Sequence, residues 1–474
     1  MRIILLLTIT LTAYSSIFSQ KKFDSEKLLE DFDFAVKELR LQHQGFYNYE
    51  ENNIADTKVS ILRDEINGSM TKLEFYQLTR KLLGLMNEGH GGVSLPKWTM
   101  IKTGLSKSFF PLSVRFQNKE LIITQNYGEN IEGLSKGVKL IAINGKTINE
   151  IMGDLMPLIP TDGFNETSRY EWIQGKTLSL LYRLVYGKSS MYEAEIIGPN
   201  DKESRLIRIS AIRYTKFKSK NKKFEDKHFN YFKFTYEQVN DSIAYLSVPS
   251  FGIDSWDYPE LYEKVFKKIT NTNIKHLILD IQGNTGGTEG NENLLYHYLS
   301  EDKIRKYRKV TMLPKPYLKN KNDKDYIFDK WRLKNGIAER GAFTCFSDYF
   351  SDLGYSMPNK SYVYKNKLYV LISGLTFSGG AELASMIKMT ERGTFIGEET
   401  GGAYEGNVSG YSQTIKLPNT KLKIDIPTVH FQIDVQPNIK GRGIIPLYEV
   451  SESWEDYING VNSKLEFAKK LIMN

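Results

Sequence analysis

Residues 368–384 read LYVLISGLTFSGGAELA, which is an apolar run followed by a glycine-containing turn and the start of a helix. Ser378 falls at the turn. A serine in this place can hold its oxygen clear of the backbone, and the free N–H groups of the first helical turn favour an oxyanion nearby. Gly379 and Gly380 would let a substrate approach closely. The same pattern also fits a serine that only caps the helix.

A second apolar run enters a glycine-rich turn at residues 277–287, LILDIQGNTGG. Here Gly287 can direct its amide at a substrate, with Gly286 beside it. Together with the amide of Gly379, which follows Ser378, it would supply the two donors that acyl transfer needs. Phosphate binding is the alternative for a glycine turn before a helix, although the Walker pattern with its lysine is missing.

The rest of the C-terminal half alternates strands with helices, which predicts a parallel sheet and an α/β fold within a multi-domain α+β chain. The predicted strands are 243–248, 277–281 and 368–373, and the predicted helices are 258–269, 291–299 and 381–389.

The chain before this part divides into four segments. A signal peptide at 1–20 precedes a helical region at 21–100, a β-rich module at 105–200 and a lysine-rich linker at 201–231, and the α/β part covers 232–474. One helix of the second segment begins with a capping box at Thr71 and Glu74. Glycines end it near EGHGG, residues 88–92, which places His90 on a turn.

The first 20 residues indicate export, to the periplasm or the medium. They combine Arg2, an apolar run and small residues near Ser19. No later run approaches ~20 apolar residues, so we expect a mature protein without a stable membrane anchor, an uncleaved leader being the alternative. Cys345 is the only cysteine, which excludes an intramolecular disulfide.

Charge and motif content disfavour several other functions. The net charge of +8 is concentrated in lysine clusters at 216–227 and 315–324, which are typical of solvated loops and not of a nucleic-acid surface. The HExxH motif is absent and no histidine pair has the spacing of metal ligands, so no metal or other cofactor is implied.

The two glycine turns, in this order and about 90 residues apart, resemble those of the tail-specific or C-terminal processing peptidases, serine peptidase family S41. Supporting segments are YLSVPSF at 245–251, GEETGG at 397–402 and GRGIIP at 441–446. The resemblance implies a PDZ-like domain at about 105–200 and a catalytic core of the ClpP/crotonase-like type at 232–474. It also implies hydrolysis of peptide or protein substrates through an acyl-enzyme on Ser378.

The base implied by the resemblance is a histidine. Family members with a Ser/Lys dyad carry a lysine where this chain has Ala403. The branch similar to the tricorn core peptidase instead uses a Gly-His motif before the PDZ-like domain, and His90 occupies that place. An imidazole with an ordinary pKa near ~6.5 can accept and return a proton at neutral pH.

The carboxylate that would orient His90 has two candidates. Glu382 lies one helical turn after Ser378 and shares its face, although the family often places this carboxylate at the position of Ala381. Glu449 is the second candidate. The family also commonly has arginine at Gln282 and aspartate at Leu447, so this chain departs from the pattern there.

Two functions without catalysis use the same architecture. Relatives of the family include retinoid-binding proteins, so a ligand-binding role is one alternative. The other is a PDZ-type adaptor that captures C-terminal carboxylates by strand addition.

Overall fold

The computed structural model describes residues 21–117, 120–199, 201–217, 233–302, 304–312, 342–343, 362–410, 412–437 and 439–474. The predicted signal peptide, Cys345, the lysine cluster at 315–324 and most of the cluster at 216–227 lie outside these ranges.

A six-stranded sheet, called the central sheet below, forms the C-terminal half. Its spatial order is Thr235–Gln238, Ile243–Ser247, His276–Asp280, Lys367–Ile372, Thr394–Gly397 and Tyr448–Glu449. The first strand is antiparallel to its neighbour and all the others are parallel. This confirms the predicted mixed α/β fold.

Helices cover both faces of the central sheet, which explains why its middle strands are almost continuously apolar. Leu277 and Leu279 face the helices Tyr258–Asn271, Asn291–Leu299 and Gly379–Met389. Ile278 faces the opposite side, where the C-terminal helix Ser463–Met473 packs.

The sheet topology brings the two glycine-containing turns together. His276–Asp280 and Lys367–Ile372 are parallel neighbours, with Asp280 paired to Leu371. Their carboxyl ends therefore open at the same edge of the sheet, which is where α/β proteins place their ligands.

The middle region is an antiparallel sheet of short strands. Its order is Arg205–Ser210, Met191–Ile197, Lys139–Ile143, Glu120–Asn126 and Leu112–Gln117, with Lys146–Thr147 paired to Lys139–Ile143. Its helical segments are Ile148–Leu155, Met156–Leu158, Thr167–Ile173 and Lys176–Tyr186. Asn144 and Gly145 form a tight turn, with φ of 51° and 77°. The strand Arg205–Ser210 lies in the segment that was predicted to be a linker. Its charged residues, which suggested a linker, face solvent because the strand is at the edge of the sheet.

The N-terminal region contains the helices Ser25–Gln42, Asn52–Asp64, Lys72–Gly84 and Lys97–Leu105, and a ribbon of Lys22–Phe23 with Met70–Thr71. The capping box of Thr71 and Glu74 is present as predicted. Among the described residues, no helix is both long and apolar enough to span a membrane.

Strand pairing fixes the N-terminal region to the C-terminal one. Gly92–Ser94 pairs with Lys423–Ile426, which also pairs with Gln413–Lys416. The remaining elements are the strands Lys107–Phe109, Ile212–Arg213, Tyr307–Met312, Ala342–Phe343, Gly406–Ser409 and Val429–Ile433, and the helix Trp454–Asn459. Since Gly92 closely follows His90, this pairing holds the histidine turn against the C-terminal region.

Candidate active site

Ser378 has a strained backbone at the point where the strand Lys367–Ile372 has turned into the helix Gly379–Met389. Its φ of 53° and ψ of −128° are unusual for a residue with a side chain. Strain of this kind costs ~1–3 kcal/mol and persists only where the surroundings impose it. The side chain accepts no hydrogen bond from the helix, so the reading of Ser378 as a simple cap is wrong.

The two turns are joined by backbone contacts around Asn284. The Phe377 amide donates to the Asn284 carbonyl at 3.0 Å. The buried Asn284 side chain donates to the Val248 carbonyl at 2.9 Å and accepts from the Gly286 amide at 2.8 Å. Asn284 thus fixes the glycine turn in two ways, through its side chain to the end of the strand Ile243–Ser247 and through its backbone carbonyl to the Ser378 turn.

Gly286 packs directly on the serine. A Cβ added there would lie 2.7 Å from Ser378 Cβ, 3.0 Å from its Oγ and 2.7 Å from the Gly379 amide nitrogen. Its φ of 93° also favours glycine. Only a residue without a side chain fits this position.

The backbone amides of Gly287 and Gly379 are available to a ligand. Within the part of the chain that the structure describes, neither donates a hydrogen bond. Gly379 is the first residue of its helix, where amides have no partner inside the helix. Gly286, which precedes Gly287, lies against Gly379. The role of the two amides as an oxyanion hole stays a prediction.

His90 contacts Phe377, the residue that immediately precedes Ser378. The two rings are stacked, with centroids 4.7 Å apart and planes at 27°. The approach depends on Gly89, where a Cβ would lie 2.5 Å from Phe377 Cζ. The structure therefore packs His90 against the residue that precedes Ser378, although the two positions are 287 residues apart. Neither ring nitrogen of His90 has a hydrogen-bond partner among the described residues.

Asp162 is the carboxylate at the His90 ring, and no pattern in the sequence indicated it. Its Oδ1 lies 3.7 Å from His90 Nδ1 and accepts the Gly89 amide at 2.7 Å. Its loop is held by the Gly163 amide, which donates to Asn87, and by the Asn165 side chain, which donates to Gly401. In the sequence, Asp162-Gly163 reads only as an ordinary turn between helices.

Burial sets the protonation of these groups. It lowers the pKa of His90 to about 4, although the negative charge of nearby Glu382 opposes this shift. Burial raises the pKa of Asp162 to about 7, although the hydrogen bond from the Gly89 amide opposes this shift. His90 is therefore neutral at pH 7 and able to accept a proton.

Glu382 shares the serine's helix as expected, but its carboxylate is bound elsewhere. Lys306 Nζ lies 2.6 Å from it, Tyr307 donates to it at 2.7 Å and Asn407 at 3.0 Å. These partners lower its pKa despite burial. Its assignment as the orienting group stays a prediction. Glu449 is exposed on the edge strand Tyr448–Glu449.

Two clusters have the composition of metal ligands, with ligand atoms within 4.8 Å of one another. One comprises Glu88, His90 and Asp162. The other comprises Glu289, Glu292 and Glu382, and there the buried Lys306 ammonium already lies 2.6–3.5 Å from all three carboxylates.

The chain is similar to known peptidases. The sequence profile of peptidase family S41 matches residues 242–450, from the second strand of the central sheet to its last. No curated protein sequence matches. Mature CPAF is 14% identical over 94% of this chain and 96% of its own, with a TM-score of 0.60. CPAF complexed with lactacystin is 14% identical over 94% of this chain and 97% of its own, with a TM-score of 0.61. The photosystem II D1 C-terminal processing protease is 14% identical over 90% and 93%, with a TM-score of 0.40.

Proposed function

Since this chain belongs to peptidase family S41 and is a serine-type peptidase, we propose that it is an exported endopeptidase that forms its acyl-enzyme on Ser378. The contact between His90 and Phe377 carries the proposal, because Phe377 immediately precedes the strained Ser378 and the imidazole is neutral. Asp162 behind the imidazole and the free amides of Gly287 and Gly379 support the same chemistry.

The proposed reaction begins with proton transfer. His90 would accept the Ser378 hydroxyl proton at Nε2, while its Nδ1–H points at Asp162, which fixes the tautomer and stabilises the imidazolium. In this scheme Asp162 takes the role for which the sequence offered Glu382 and Glu449, since the Glu382 carboxylate already binds Lys306 and Glu449 is exposed on an edge strand.

The attack of Oγ on the scissile carbonyl places negative charge on the carbonyl oxygen. The Gly287 and Gly379 amides would donate to this oxygen, and the dipole of the helix Gly379–Met389 adds to their effect. His90 then returns its proton to the leaving amine. A water molecule, activated by the same histidine, releases the acyl group and restores Ser378.

The proposed substrates are C-terminal regions or unstructured peptides. Gly287 is exposed and Gly379 is half-buried, so an extended backbone could lie against the two turns there, whereas Gly286 and Gly380 are buried against Ser378 and Asn284. The leader pattern in residues 1–20 supports action in the periplasm or the medium.

The test is labelling with a fluorophosphonate, which reacts with activated serines. Wild type should be labelled, whereas Ser378→Ala and His90→Ala should be unlabelled and should lose ~10⁴ to 10⁶ in turnover while folding normally. Lactacystin, present in a CPAF complex, serves as a second probe. Undiminished labelling of Ser378→Ala would refute its assignment as the nucleophile, and near-normal hydrolysis by His90→Ala would refute its assignment as the base.

A pair of peptides that differ only in C-terminal amidation tests the preference for C-terminal regions.

A further inference from the structure

A second buried carboxyl group, Glu88, stands behind Asp162. Only 1% of Glu88 is exposed, and it precedes His90 by two residues. Its Oε2 accepts the Val408 amide at 3.0 Å. Its Oε1 and the Asp162 Oδ2 are both buried, and neither has a hydrogen-bond partner among the described residues.

Glu88, Asp162 and His90 lie so close together that the two carboxyl groups cannot both be ionised. Oxygen atoms of Glu88 and Asp162 and a ring nitrogen of His90 lie within 4.8 Å of one another. Two carboxylates in such a buried pair repel, so one of them retains a proton and can donate it to the other.

The surroundings of Glu88 decide which carboxyl keeps the proton. The groups facing it are Asp162, His90, Tyr49 and Glu405, and none of them is cationic at neutral pH. Burial, followed by the charge of Asp162, raises the pKa of Glu88 well above its usual range. The Asp162 carboxylate also accepts the Gly89 amide, which favours its ionised form.

We propose that Glu88 is a positioning residue that acts as a neutral acid, donating a hydrogen bond from Oε1 to Asp162 Oδ2 and so holding Asp162 ionised against His90. This inference rests on the proposed function, because it extends the Ser378–His90–Asp162 arrangement by one residue. The Val408 amide fixes Oε2 as the accepting oxygen, which leaves Oε1 to carry the proton.

A glutamine reproduces this arrangement without a titratable proton. Its oxygen would accept the Val408 amide, and its NH₂ would donate to Asp162 at any pH. Alanine removes both contacts. The comparison of Glu88→Gln with Glu88→Ala therefore separates the hydrogen bond to Asp162 from the mere filling of space.

The experiment measures kcat from pH 6 to 10 for wild type, Glu88→Gln and Glu88→Ala, with thermal unfolding as the check on folding. At pH 7, Glu88→Gln should retain far more turnover than Glu88→Ala, which should lose about 10²-fold through displacement of Asp162 and His90. As pH rises and Glu88 ionises, wild type should lose turnover, whereas Glu88→Gln should lack this alkaline decline.

Equal losses in both variants, or an alkaline decline that persists unchanged in Glu88→Gln, would overturn the role of Glu88. A wild-type enzyme that a chelator inactivates and a divalent metal restores would also overturn it, since a cation would then replace the proton. Fluorophosphonate labelling of wild-type Ser378 distinguishes these outcomes from failure of the proposed function, which would leave wild type itself unlabelled and inactive.

Discussion

The imidazole of His90 lies on the ring of Phe377, with ring centroids 4.7 Å apart, and Phe377 immediately precedes Ser378. Phe377 is 7% exposed and its amide is bound to the Asn284 carbonyl. The phenyl ring thus connects a histidine from the N-terminal region to the turn that carries the serine.

Phe377→Leu should lower kcat/KM by about 10²-fold, because loss of the flat ring lets the imidazole move, and a misplacement of ~1 Å can cost that much. Steady-state hydrolysis of a peptide substrate measures the effect. Phe395→Leu is the matched control, since Phe395 is 3% exposed in the core of the same sheet and away from the two turns. Equal losses of kcat/KM in the two variants would show that Phe377 acts only through stability.

The strands and helices of the central sheet could be predicted because the sequence patterns that indicate them are local. The strand His276–Asp280 and the helix Asn291–Leu299 follow from apolar runs and glycines that can be read within a dozen residues. The meeting of the two turns follows from the parallel topology. Gly287 and Ser378 could therefore be placed together before the structure was known.

The carboxylates depend on contacts that no local pattern reveals. Asp162 reaches His90 because its loop bonds to Asn87 and Gly401, which are distant in sequence. Glu382 has the spacing of a partner for Ser378, but Lys306, 76 positions earlier, binds its carboxylate. Helical spacing predicts which face of the helix a side chain occupies. It does not predict which charged residue of another element will pack against that face.

Asp162→Asn should reduce turnover by about 10⁴-fold with little change in fold, because an amide can hold the wrong tautomer of His90. The wild-type pH profile should have an acid limb between about 4 and about 7, the values to which burial brings the pKa of His90 and of Asp162. Activity is lost as pH falls because the base becomes protonated. Asp162→Asn should retain a small residual activity, and the acid limb of its pH profile should move toward pH 4, the value for His90 alone.

Asp154→Asn is the control for this substitution, since Asp154 only accepts the Tyr186 hydroxyl at an exposed site. An unchanged limb and a loss below tenfold in Asp162→Asn would remove Asp162 from the mechanism.

Gly286→Ala should abolish labelling of Ser378, because the added Cβ would lie 2.7 Å from both Ser378 Cβ and the Gly379 nitrogen. The variant also places alanine at a φ of 93°. Gly145→Ala controls for that backbone strain, since Gly145 has a φ of 77° and nothing within 4 Å of the added atom. Both variants should lose stability, and only Gly286→Ala should lose fluorophosphonate labelling. Retained labelling would contradict the close packing of the two turns.

His43 should make the protein sensitive to acid. Burial lowers the pKa of this histidine to about 3, and its Nδ1 accepts the Gly45 amide at 3.3 Å. The unfolded chain binds a proton near ~6.5, whereas the folded chain does not bind it until about 3. This neutral histidine therefore contributes stability above pH ~6.5 that is lost as pH falls toward 3.

For one such group, the free energy of unfolding falls by about 2 kcal/mol between pH 7 and pH 5. His43→Gln lacks the titration, so the stability difference between wild type and this variant should shift by that amount in favour of the variant at pH 5. Urea unfolding at the two pH values measures it. His276→Gln, at a half-buried site with a lowered pKa, should show a smaller shift. A wild-type-to-variant difference that is the same at both pH values would mean that His43 is protonated in the folded chain, which would require an anionic partner for its buried Nε2.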